Sequence, residues 1–290
     1  MKKNIAILID SSTTINEEFA RLNDIHMVPM QLIDSNGKTY ADDGKEITQK
    51  QLFQEIANNR IFKSSVTNLG LLMAKVEELF EQYENVIFLP ISPELSGNYN
   101  QAVNLIKPEF KNFFVVKNNT IAVMTEYAIH KLIDLLKTNK IEDAIVKIEK
   151  WMSVNETILF FPSTLEGLIK GGRISKFKGL LANILRKRPI LVIKDGGIEK
   201  EDITSNFKSA VDKMFESIAK KFGSIKSVKK FAILVTETTN SEILDYIYTN
   251  IANKTNVKKS DIFVRQVPSV LLVHTWDGVF AIGAVGNNDE

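Results

Sequence analysis

Along the first half of the chain, short apolar runs of strand length alternate with stretches of helical spacing. Residues 4–9, 27–32, 86–91 and 113–116 read as strands, and 48–58, 71–83 and 121–136 as helices, the signature of βαβ units on a parallel sheet. Ser35-Asn36-Gly37-Lys38 carries the Asn-Gly turn that closes a two-residue hairpin and interrupts this Rossmann-like texture. After a helix over 141–152 the pattern changes. Strands at 157–161, 189–193, 231–236, 262–267, 270–274 and 279–284 are interspersed with helices at 163–169, 205–222 and 241–253, and Asp195-Gly196-Gly197 turns the chain between two of the strands. Hairpins mixed with crossover helices predict a mixed sheet. The expected fold class is therefore α/β in two domains: residues 1–155 with a Rossmann-like parallel sheet, and 156–290 as an α/β domain with a mixed sheet.

Length agrees, because 290 residues favour two domains or one large α/β unit. A net charge of +2, with 25% charged and 44% hydrophobic residues, makes no demand for nucleic acid. The absence of cysteine excludes disulfides and thiolate chemistry and fits a reducing compartment. No apolar run approaches the roughly 20 residues of a membrane-spanning helix, and the run behind Lys2-Lys3 stops at Asp10, too early for a signal peptide. A cytoplasmic protein without stable membrane insertion is the expectation.

Candidate chemistry concentrates in three hydroxyl-rich segments. Asp10-Ser11-Ser12-Thr13-Thr14 and Ser92-Pro93-Glu94-Leu95-Ser96-Gly97-Asn98-Tyr99 follow apolar runs, and Lys63-Ser64-Ser65-Val66-Thr67 follows only the short Arg60-Ile61-Phe62. In an open α/β sheet, ligands bind outside the carboxyl ends of the strands, where helix N-termini offer N–H groups to an anion. Hydroxyls with only three histidines and no carboxylate cluster suit gripping a negative group better than breaking a bond. Ser96-Gly97 reads either as a ligand loop or as a plain loop-to-helix junction, and Ser64 and Ser65 either as ligand hydroxyls or as caps. Thr48 and Ser163 match the capping box and are assigned that structural role, as Thr14 also matches it.

The helix ending at Lys170-Gly171-Gly172-Arg173 has a double glycine that a left-handed C-cap explains at least in part. Arg173, Arg186 and Arg188, three of six arginines, fall within sixteen residues, either as a solvated face or as a patch for carboxylate or phosphate. His274 ends an apolar run, either as a satisfied core histidine or as a donor to an anion. No P-loop, dinucleotide or nucleophile-elbow motif is present, and one suitably placed histidine without cysteine makes a zinc site improbable.

Taken in order, Asp10-Ser11-Ser12, Lys63-Ser64-Ser65, Ser92-x-x-Leu95-Ser96-Gly97-Asn98-Tyr99, Leu165-x-x-Leu168-x-Lys170-Gly171-Gly172-Arg173-Ile174, Arg188-Pro189-Ile190-Leu191 and His274 resemble the DegV family of fatty-acid-binding proteins over nearly the whole chain. The resemblance implies a non-catalytic carrier that buries a long-chain fatty acid in an apolar tunnel. It also implies a fatty acid kinase partner that phosphorylates the carboxylate, a place in phospholipid metabolism, and no cofactor. Carried over from the family, Ser64 and Ser96 would grip the carboxylate and Arg173 and His274 would support the head group, and with Ser65 and Gly97 beside them these are the expected ligand-binding residues. The chain departs from the family at Val66-Thr67, where relatives carry Gln-Pro, and at Trp276-Asp277-Gly278, where they carry Gly-Pro-Gly. It also departs at 119–125, which lacks the usual glycines, and near Ser205, where a basic residue is missing. A buried sixteen-carbon chain would contribute up to about 12 kcal/mol before association costs of similar size. The competing readings are a phosphotransferase or hydrolase acting on a small phosphorylated or acyl substrate through the same serine loops, and an interaction module with a vestigial cleft.

Overall fold

The apolar run at 5–9 has no polar alternation, and it forms the buried end of strand β1 (Lys3–Asp10), in which Ala6, Ile7, Leu8 and Ile9 are at most 2% exposed. A strand covered on both faces belongs inside a parallel sheet. In the computed structural model, which describes residues 2–58, 60–174 and 188–286, β1 is the second strand of the order β2-β1-β6-β7, all parallel. Its partners are β2 (Ile25–Val28), β6 (Tyr83–Leu89) and β7 (Phe113–Val115). Between β1 and β2 lies α1 (Glu17–Leu22), which is capped by Asn16 through its bond from the Phe19 N–H at 2.9 Å, so Thr14 is not the cap.

The run at 27–32 is two strands in different sheets, because Pro29 removes the N–H that a continuous ladder needs. Its second part is β3 (Gln31–Asp34), which pairs antiparallel with β4 (Thr39–Ala41) and β5 (Phe62–Ser65) in the order β4-β3-β5. The β3–β4 loop has four residues, Ser35 to Lys38, rather than two. Asp34 accepts from the Asn36 and Lys38 N–H groups at 2.8 and 3.0 Å, which tightens the turn until Gly37 takes up φ +83°.

Helix α2 (Gln49–Ala57) carries the expected capping box at Thr48, with both reciprocal bonds to Gln51 present. Helix α3 (Leu69–Gln82) sets Leu72, Val76 and Leu79 against Leu8, Phe88 and Phe113, which forms one core. Helix α4 (Asn98–Gln101) runs on as a π-helical turn over Ala102–Ile106. Then come α5 (Val123–Leu136) and α6 (Ile141–Asn155).

The second sheet is mixed, as its hairpin signals predict. Its order is β10-β9-β8-β13-β11-β12, built from β8 (Glu156–Phe161), β9 (Arg188–Lys194), β10 (Gly197–Thr204), β11 (Val228–Val235), β12 (Ile262–Gln266) and β13 (Phe280–Gly286). Only β11 and β12 pair in parallel. The helices here are α7 (Glu166–Lys170), α8 (Phe207–Lys221), α9 (Ser241–Lys254) and α10 (Ser269–Thr275). The amphipathic α8 lays Val211, Met214, Phe215 and Ile218 on the core of Leu159, Phe231 and Ile282.

Two expectations fail in this region. The run at 270–274 is the helix α10 and not a strand. A short apolar run carries no decisive period, and Pro268 starts the helix by accepting from the Leu271 and Leu272 N–H groups at 2.9 and 2.8 Å. Ser163 is not a cap either. Helix α7 starts later, the Glu166 N–H goes to Thr164 Oγ1 at 3.2 Å, and the Ser163 hydroxyl donates to the Asp277 carbonyl.

The chain divides into two compact units. One is Met1–Glu149 with Pro268–Val273, and the other is Lys150–Val267 with His274–Glu290.

Candidate functional site

Within the first unit, the three hydroxyl segments meet through a buried asparagine. Asn98, at the start of α4, is fully buried. Its Nδ2 donates to Asp10 Oδ2 at 2.8 Å and to Thr67 Oγ1 at 3.3 Å, while its Oδ1 accepts from the Thr67 N–H at 2.8 Å. Gln101 Nε2 adds a bond to the Thr67 carbonyl at 2.9 Å. Ser64 and Ser65 are themselves the last residues of β5 rather than a loop behind a strand, which explains the weak strand signal ahead of them. Both are partly buried, as is Ser96. The Ser96 hydroxyl accepts from the Asn98 N–H at 3.4 Å, which occupies a lone pair and not its proton. Gly97 lies against Val66: a Cβ there would stand 3.2 Å from Val66 Cγ1.

Asp10 anchors this arrangement. It has no exposed surface, and it accepts from Ile91 N–H at 2.8 Å, Ser12 N–H at 3.1 Å, the Ser12 hydroxyl and Asn98. Burial pushes its carboxyl up against the pull of these donors. Beside it, Ser11 Oγ accepts from the Met30 N–H at 3.0 Å and is hydrogen-bonded to Asp42, which also engages Ser269. Asp42 is pushed up to about 6, by desolvation first and then by the charges of Asp10 and Asp43. The Thr13 and Thr14 hydroxyl oxygens are buried and have no hydrogen-bond partner among the described residues. Nothing in the sequence signalled Asp42; Thr67 and Asn98 were visible only as members of motifs, and Asp10 stood out as a strand-end residue that either orients ligand groups or closes an Asx turn.

In the second unit the double glycine has two separate jobs. Gly172, at φ +75°, is the left-handed cap. Gly167 on α7 and Gly171 at its C-cap lie one turn apart and clear space for the chain around His274. A Cβ on Gly171 would sit 2.4 Å from His274 Nδ1, and one on Gly167 would sit 2.4 Å from the His274 carbonyl oxygen and 2.7 Å from Trp276 Nε1. His274 is 8% exposed and its imidazole is pushed down to about 4, by desolvation first, then by the Arg173 charge, against a hydrogen bond to the Gly167 backbone. Arg173 donates to the Gly171 carbonyl, and burial lowers its pKa. Arg188 lies over the Phe161 ring at 4.3 Å and reaches the Ser163 carbonyl at 3.4 Å, so its part in the arginine cluster is packing. Arg186 lies outside the described residues.

The departure at 276–278 has its own support. Trp276 adopts φ +59°, and the Asp277 carboxylate accepts from Thr236 Oγ1 at 2.8 Å, from the Thr238 hydroxyl and from Gly278 N–H. Among the described residues, no group of three or more His, Asp or Glu side chains could hold a metal, and no helix is long and apolar enough to cross a membrane.

The two displaced pKa values act on stability in opposite directions. His274 binds a proton less readily when folded than its ordinary value of 6.5 implies, so its contribution is full above pH 6.5 and is lost by about 3 kcal/mol as the pH falls toward 4. Asp42 binds one more readily than its ordinary 3.8, so it penalises the fold above pH 6 and the penalty lifts on acidification. Because it is partly exposed, its share is about 2 kcal/mol after screening. Asp42→Asn is expected to steepen the loss of stability between pH 6.5 and 4, and His274→Gln to turn it into a gain, as read by urea titrations across that range. Equal acid slopes in the two variants would contradict both assignments.

Comparison with known proteins gives a consistent result. A family model described as "Uncharacterised protein, DegV family" matches residues 4–287. A DegV domain-containing protein of Ureaplasma parvum is 29% identical over 291 residues, covering 99% of this chain and 97% of its own. One from Staphylococcus aureus is 30% identical over 287 residues, covering 98% and 99%. Among solved structures, a DegV protein of Thermus thermophilus described as fatty acid binding matches with a TM-score of 0.85 at 20% identity, over 98% of this chain and all of that one. Bacillus subtilis DegV, described as a fatty acid binding protein, matches at 0.81 and 22%, over 99% and 100%. At these identities the solved structures establish the α/β fold.

Proposed function

The chain belongs to the DegV family, and from that premise we propose that it binds a long-chain fatty acid and holds its carboxylate with the hydroxyls of Ser64, Ser65 and Ser96 beside the open backbone at Gly97. The observation that carries this reading is the joining of the 64–67 and 96–98 segments through Asn98 in one unit. It ties the segment that carries Ser64 and Ser65 to the one that carries Ser96 and Gly97. The solved relatives described as fatty acid binding supply the ligand class. In the second unit, Arg173 and His274 are the other ligand-binding residues of the proposal: a guanidinium held next to an imidazole kept neutral, so that the imidazole donates or accepts without adding charge.

Burying the tail supplies the affinity, and the hydroxyl donors offset the cost of drying the carboxylate. The protein acts in the cytoplasm as a carrier, and a separate ATP-dependent kinase phosphorylates the carboxylate that it presents. No resident cofactor takes part.

Native mass spectrometry of the purified protein is expected to show a lipid-sized adduct, and added oleate to raise the melting temperature. Ser96→Ala should weaken oleate binding by about 1–3 kcal/mol, the worth of a hydrogen bond to a charged group. No adduct together with no thermal shift would overturn the reading, and unchanged affinity in Ser96→Ala would remove that residue from it.

A further inference from the structure

Asn98 occupies a position from which three chain segments are held at once. Its side chain ties the end of β1, through Asp10, to the residue two beyond β5, Thr67, and its backbone N–H meets the Ser96 hydroxyl. Thr67 and Asn98 are both fully buried, so water does not compete for these bonds. A side-chain amide offers a donor and an acceptor from one small planar group, and both are used here: Nδ2 toward Asp10, Oδ1 toward the Thr67 N–H. The bond to Thr67 is possible only because residue 67 has an N–H, which proline lacks. Ser65 is two residues from Thr67 and Ser96 two residues from Asn98, so this amide sets the distance between the two serine-bearing segments.

Resting on the fatty-acid reading above, we propose that Asn98 is a positioning residue: it registers Ser64 and Ser65 against Ser96 so that their hydroxyls converge on one carboxylate, and it does so without touching the ligand. Its loss therefore acts on recognition of the acid group and leaves the hold on the hydrocarbon tail intact.

The test compares oleate with oleyl alcohol, which share a tail and differ in head group, on the full-length protein. Asn98→Ala is expected to weaken oleate by about tenfold or more while oleyl alcohol changes by less than about twofold. Thr67→Val keeps the N–H bonded to Asn98 and should leave oleate affinity close to that of the unsubstituted protein. If Asn98→Ala does not fold, Asn98→Leu, which keeps the side-chain volume and removes both its donor and its acceptor, is expected to show the same selective loss. Equal weakening of both ligands would mean that Asn98 merely stabilises the fold and would overturn the proposal, as would unchanged oleate affinity. Failure of the unsubstituted protein to bind oleate would instead overturn the function on which the proposal rests.

Discussion

Asp10→Ala is expected to be among the most destabilising single changes in the chain, lowering the unfolding free energy by about 3–5 kcal/mol. The carboxylate is fully buried and accepts from Ile91 N–H, Ser12 N–H, the Ser12 hydroxyl and Asn98 Nδ2. Truncation leaves these donors without an acceptor in a dry environment, where each orphaned group costs about 1–3 kcal/mol. The Ser12 hydroxyl can turn to another acceptor, but the Ile91 amide is fixed by the backbone. Asp10→Asn should fall between Ala and the natural residue, since its amide presents N–H to groups that themselves donate. Urea titration checks this through the midpoint at constant slope. A loss below about 1 kcal/mol in Asp10→Ala would show that water takes over the acceptor role.

Gly167→Ala should cost about 3 kcal/mol or more, because its Cβ would come within 2.4 Å of the His274 carbonyl oxygen, a backbone atom that moves only with the chain. Gly171→Ala meets the imidazole at 2.4 Å instead, and a ring can rotate, so a smaller loss of about 1–3 kcal/mol is expected. Displacing the ring toward water should also return the His274 pKa toward 6.5, which NMR titration of its ring protons reads directly. Gly172→Ala is the contrast. No atom of the described residues lies within 4 Å of a Cβ there, so among them only the φ of +75° opposes it, at about 1–2 kcal/mol. Equal losses at 167 and 172 would mean that the contact with the His274 segment carries no weight.

Much of the fold was legible because burial leaves its period in the chain. The unbroken run at 5–9 and the alternation with helices announced a parallel sheet, and the hairpin signals after residue 188 announced a mixed one. What stayed hidden has identifiable physical causes. The Val270-Leu271-Leu272-Val273 run is almost wholly buried, so strand and helix predict the same composition, and only the Pro268 carbonyl decides. Pro29 splits a run whose hydrophobicity is continuous. The hydroxyl-rich segments were legible as residue types, but the frame that joins them was not. Asp10, Thr67 and Asn98 are joined by side-chain hydrogen bonds across 31 and 88 positions, and no local periodicity reports such a bond. The spacing of Gly167 and Gly171 did carry a signal, two small residues one helical turn apart, beneath the more familiar explanation of a C-cap.

The chain returns late to both of its units. Residues Pro268–Val273 complete the first unit, and β13 is an interior strand of the second sheet, flanked by β8 and β11. Strand β13 pairs with β8 across more than a hundred intervening positions, a separation that makes assembly slow. A nascent polypeptide therefore cannot close the first unit before Val273 has emerged, nor the second before Gly286 has, and β8 waits for its partner across more than a hundred positions with an apolar edge uncovered.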